Sequence, residues 1–179
     1  MNALLALARL IDALTERVGR VVIWLVLVAT LISAGNAVVR YLLGESSNAW
    51  LEIQWYLFGA MFLLAAGYTR KHNGHVRIDI FYNRLGPRGQ AWIDLVGGLV
   101  FLLPMAVLLT WISWPMFHEA WVTREMSPDA GGLLRWPVKL LLPVGFALLA
   151  LQGVAEVIKR IGVLSGHLVL PREAPEEEV

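Results

Sequence analysis

The chain has 179 residues, of which 58% are hydrophobic and 16% charged, where a soluble domain carries about 25% charged residues. It contains no cysteine, which excludes disulfides, thiolate metal sites and cysteine nucleophiles. The net charge of +1 comes without a basic run, so no nucleic-acid partner is expected. The apolar residues gather into four stretches, each long enough for the roughly 20 residues that a bilayer core demands. The expectation is an all-α integral membrane protein of four transmembrane helices plus an amino-terminal amphipathic interfacial helix, as a single membrane domain over residues 1–179.

In chain order, residues 2–19 place Leu4, Leu7, Ile11, Leu14 and Val18 on one helical stripe, with Arg9, Asp12, Glu16 and Arg20 opposite. Such a helix just before a span fits the plane of the membrane interface, or the face of a partner protein. The apolar run from Val21 is too long for a signal peptide, so no cleavable leader is expected. The first span covers about 21–43, with Asn36 and Arg40 in its last turns. The second covers about 50–69, with Glu52 and Gln54 in its first turn. The third covers about 91–116 and holds Pro104; the fourth covers about 133–158 and holds Pro137 and Pro143. Bends are expected near Pro104 and Pro143. Residues 165–179 read as a solvated tail ending in Glu176, Glu177 and Glu178.

Basic residues set the orientation. Arg9, Arg17 and Arg20, then Arg70, Lys71, Arg77, Arg84 and Arg88, then Lys159, Arg160 and Arg172 fall on one side, leaving Arg40, Arg124, Arg135 and Lys139 on the other. Both termini are therefore expected in the cytoplasm. Of the eight tryptophans, Trp50, Trp55, Trp111, Trp114, Trp121 and Trp136 cluster near the outer ends of spans. That is an anchoring belt, or the mark of a partner docked on the outer surface.

Four-helix membrane proteins can hold haem between paired histidines, but His72, His75, His118 and His167 all lie outside the apolar runs. His72 and His75 also lack a carboxylate fixed nearby on the same element, so no metal site and no cofactor is expected. The middle of every span is free of charge, although ion and substrate paths usually carry some. Glu52 is the best candidate for a proton or cation site; the alternatives are a pair with Arg40 across the short loop, or a partner contact. Asn36 and Gln54 suit hydrogen bonds between helices. The loop over 72–89 opens with the turn signal Asn73-Gly74 and alternates Val76, Ile78 and Ile80 with Arg77 and Asp79. It fits interfacial anchoring or docking on another membrane subunit. The outer loop over 117–136 mixes Glu119, Arg124, Glu125, Ser127, Pro128 and Asp129, a contact surface without a nucleophile–base pair.

Four features carry a resemblance over nearly the whole chain. The first span ends on Asn36 and Arg40, and the second opens WLEIQW with Glu52 and Gln54. The loop reads NGHVRIDIFYNRL, with Asn73, His75, Arg77 and Asp79, and the last region reads EMSPDAGGLLRWPVKLLLPVGF. Together they resemble the small membrane subunit, DctQ-like, of tripartite ATP-independent periplasmic (TRAP) transporters. The resemblance implies a non-catalytic subunit of a bacterial inner membrane. Its implied partners are a large elevator-type membrane subunit and, transiently, a periplasmic substrate-binding protein, for sodium-coupled uptake of an organic anion. Asn36, Arg40, Glu52, Gln54, Asn73, His75, Arg77 and Asp79 become candidates for the subunit interface or internal packing. Arg124, Glu125, Ser127 and Asp129 become candidates for contact with the binding protein. The other reading is a four-helix proton-coupled exporter acting as a homodimer, with Glu52 as carrier.

Overall fold

The computed structural model describes residues 1–45, 47–74, 82 and 84–168. Within these, helix α1 spans Asn2–Leu43, α2 spans Asn48–Lys71, α3 spans Pro87–Gly97, α4 spans Leu103–Val122 and α5 spans Trp136–Leu164. A π-helical turn, Gly98–Leu102, joins α3 to α4 into one apolar rod, so four helices are long and apolar enough to cross a membrane. Helices answer the bilayer's demand that every backbone N–H and C=O be bonded internally. The ends carry the expected local signals. Gly44 closes α1 in the left-handed region (φ 66°), while Pro87 and Pro137 occupy first-turn positions, where a missing N–H is harmless.

The separate interfacial helix expected over 2–19 is not a separate element. α1 runs unbroken for 42 residues, about 63 Å, through the expected junction. Gly19 marks that junction without breaking it, because the glycine serves packing: a Cβ there would sit 2.2 Å from the Tyr68 ring. The face that packs inside the protein coincides with the apolar stripe of residues 2–19 only at Ile11. Leu4, Leu7 and Leu14 are exposed, whereas Ala8, Ile11, Thr15, Gly19 and Val22 are buried, and Asp12 and Glu16 turn toward neighbouring helices. Small residues let backbones approach closely, which large ones on that line would prevent.

Helix α5 is the hub. It packs on α1, α2, α3 and α4, and its buried positions include Gly145, Leu149, Gln152, Gly153, Ala155 and Ile158. Gly145 lies against α2 so closely that a Cβ would meet the Leu63 carbonyl oxygen at 2.8 Å. Pro143 is buried in this helix, and Pro104 directly follows the π turn, in which the Leu103 N–H reaches the Gly98 carbonyl. The widened turn separates the backbone just where a proline ring would crowd the preceding carbonyls.

Gly145→Ala is expected to force α2 and α5 apart and destabilise the fold by about 1–3 kcal/mol, seen as a lower melting temperature in detergent. Gly97→Ala, whose Cβ would meet nothing within 4 Å, should not lower it.

Candidate functional site

The polar side chains of the bundle collect at two levels. Along α2, Glu52 and Arg70 mark them, and 18 residues of helix separate these by about 27 Å, close to the roughly 30 Å of a hydrocarbon core.

At the outer level, Asn48, Glu52 and Tyr56 recur every four residues and so share one face of α2. Each holds a different point of the loop between α4 and α5. Asn48 Nδ2 donates to the Ala130 carbonyl (3.0 Å), and the Tyr56 hydroxyl donates to the Leu134 carbonyl (2.9 Å). Glu52, only 3% exposed, accepts the Ser127 hydroxyl on one oxygen and the Leu133 N–H on the other (2.6 Å). Arg135 adds a donor to Ser127 Oγ (3.3 Å) and stacks 5.4 Å from the centre of the Trp55 ring. Lys139 closes the loop onto the Glu125 carboxylate. Glu52 is thus a loop anchor, and the expected pairing with Arg40 across the short loop is replaced: Arg40 is exposed on the last turn of α1. A carboxylate in apolar surroundings needs donors that stay with it, and the folded loop supplies two.

At the inner level, α5 sends one charge to each of three neighbours. Lys159 Nζ donates to both Asp12 oxygens of α1 (3.0 and 3.1 Å), Glu156 pairs with Arg70 of α2 (2.8 Å), and Arg160 pairs with Asp94 of α3 (2.9 Å). Tyr82 donates to the same Asp94 oxygen (2.8 Å). Just inside this layer, Gln152 has no exposed surface; it accepts the Thr15 hydroxyl (2.8 Å) and donates to Asp12 (3.0 Å). Glu16 precedes the apolar run of α1 and gathers Lys71 (2.7 Å), His72 (3.0 Å) and Arg20 (3.2 Å). The hydrogen bond from Lys71, then that from His72, lowers the Glu16 carboxyl from 4.5 to about 2.

The remaining candidates separate cleanly. Gln54 bonds its own helix, Nε2 to the Trp50 carbonyl (3.0 Å). Asn73 forms the turn after α2 in the left-handed region (φ 53°), and His75, Arg77 and Asp79 lie outside the described residues. Ser127 and Glu125 hold the outer loop together, while Arg124 (φ 49°) and Asp129 project from it, exposed. Asn36 lines a groove between α1 and α2. Sequence reading passed over Gln152, Thr15 and Asp12. A lone amide within LLALQGVAEV was the available signal, but its partners lie 137 and 140 residues away. No cluster of three or more metal-ligating side chains occurs among the described residues.

Residues 29–162 match the family model described as DctQ, Tripartite ATP-independent periplasmic transporters, DctQ component. No curated protein matches the chain.

Two outcomes are expected. Glu52→Ala should release the outer loop, so protease cleavage within 123–135 rises about tenfold, and Glu52→Gln should raise it less because its amide oxygen still accepts one bond. The Glu16 carboxyl is depressed when folded, so its stabilisation is complete above 4.5 and is lost as pH falls toward about 2. The stability gap between wild type and Glu16→Gln, measured by melting in detergent, should therefore be full at pH 5 and shrink by pH 3.

Proposed function

Since the chain belongs to the DctQ family, the small permease component of TRAP transporters, we propose that it pairs with a large elevator-type membrane subunit and enlarges the stationary part of that machine. Sodium and an organic anion then travel through the large subunit, and a periplasmic binding protein delivers the anion. The basic residues of α1's first half, of the loop after α2 and of the end of α5 favour a bacterial inner-membrane orientation with both termini in the cytoplasm.

The observation that carries this reading is where the charges are spent. An elevator's scaffold must hold its shape in the bilayer while another body slides past it. Here both polar levels tie this chain's own helices together, so its charged groups act as bracing. Glu52 has both oxygens occupied by the outer loop, which accounts for this residue without the exporter's proton-carrier role. Arg124 and Asp129, exposed on a loop clamped at several points, form a rigid surface facing the binding protein's side of the membrane.

Vesicles holding only this chain should show no solute uptake, whereas vesicles with the large subunit as well should take up substrate when the binding protein and a sodium gradient are supplied. Uptake by the chain alone would overturn the proposal. Arg124→Glu should lower binding-protein-dependent uptake several-fold and leave co-purification of the two membrane subunits unchanged.

A further inference from the structure

We propose that the outer half of α1 and the facing turn of α2 form the seat for one transmembrane helix of the large subunit, with Asn36 as its hydrogen-bonding anchor. This rests on the pairing proposed above and assigns it a place and a chemistry.

The last buried residue of α1 is Ala29. At 100° per residue, Ser33, Asn36 and Arg40 continue the face that carries Thr15, Val22 and Ala29. Below, that face is covered by α2 and α5. Beyond Ala29, an adjoining face of α1, centred roughly 100° around the helix, lines an open groove of about 280 Å³, walled by Leu31, Ile32, Gly35, Asn36 and Val39 with Trp50 of α2, and Asn36 sits where the two faces meet.

The chemistry of that line selects the occupant. Asn36 sits about 10 Å along the helix below Leu43, and Ser33 lies one turn deeper. Neither these two nor Arg40 has a hydrogen-bond or ion-pair partner among the described residues. By contrast, Thr30, Gln54, Thr69, Thr110 and Ser113 all bond carbonyls of their own helices. Lipid tails offer nothing to an amide, so the occupant carries a donor or acceptor at the depth of Asn36. Gly35 supplies the close approach. A Cβ there would meet nothing within 4 Å in this chain, so the absence of a side chain serves no internal contact.

The same fact makes the test clean. Gly35→Leu starts from a Cβ in open space and improves helix propensity, so it should keep or raise the melting temperature of the subunit alone. It should cut co-purification of the co-expressed large subunit at least about tenfold, by filling the seat. Gly97→Leu, equally open but on another span, should behave as wild type. Asn36→Leu should reduce association about threefold, the worth of an average hydrogen bond between membrane helices. The chain has no cysteine, so a single Val39→Cys can carry a benzophenone probe, which should crosslink to the large subunit. If Gly35→Leu associates as wild type, if Gly97→Leu is equally damaging, or if the probe captures a second copy of this chain or only lipid, the seat is wrong while the pairing stands. If the wild-type chain fails to co-purify with the large subunit, the pairing itself is wrong and the seat falls with it.

Discussion

A charged or amide group carried into a membrane must find its partner within protein, because hydrocarbon offers none and the penalty for leaving it bare is several kcal/mol. The arrangement of this bundle follows from that requirement. α5 carries Glu156, Lys159 and Arg160 within five residues, and these point around the helix to three different neighbours. Each pair fixes one helix at one height against the hub. With Gln152 between Thr15 and Asp12 just inside them, the inner ends of the spans are locked in both register and rotation.

The outer level solves the same problem differently. No helix supplies a counter-charge to Glu52; the loop between α4 and α5 folds back and offers a hydroxyl and a backbone N–H. A loop that satisfies a carboxylate is itself ordered by it, so the surface carrying Arg124 and Asp129 keeps one shape. The aromatic pairs at this end, Trp121 on Trp136 and Trp114 on Phe117, add apolar weight at the depth where indoles are most comfortable. A rigid outer cap over a cross-braced inner end is the mechanical profile expected of a stationary scaffold.

Between the two levels the helices approach closely at glycines: Gly67 and Gly145 come against the backbone of a neighbouring helix, while Gly19 and Gly153 receive the side chains of Tyr68 and of Leu102 and Leu103. Where such contacts stop, at Ala29 of α1, the chain presents Asn36, without a partner among the described residues, in otherwise apolar surface. An isolated membrane protein would gain by replacing Asn36 with leucine. Its presence is explained by a neighbour, which fits membership of a family whose members work as components of a larger transporter.

Much of this was legible from residues alone. Four apolar runs and the family motifs are local properties, and lipid makes local hydrophobicity nearly decisive. Rotation and pairing were not legible. Residues 2–19 are the start of one continuous helix, and the line that packs inside the protein, Ala8, Ile11, Thr15 and Gly19, is set by how closely neighbouring helices approach. Nor could spacing reveal that Glu52 would choose Ser127 over Arg40, or Asp12 choose Lys159: partners 75 and 147 residues away are brought together only when four helices settle against one another. The amino-acid sequence by itself determined that this chain crosses a membrane four times, because transfer free energy sums along a segment. Only the tertiary structure decided which polar groups brace the bundle and which are left facing outward, because that depends on helix rotation, and helix rotation is set by contacts between distant residues.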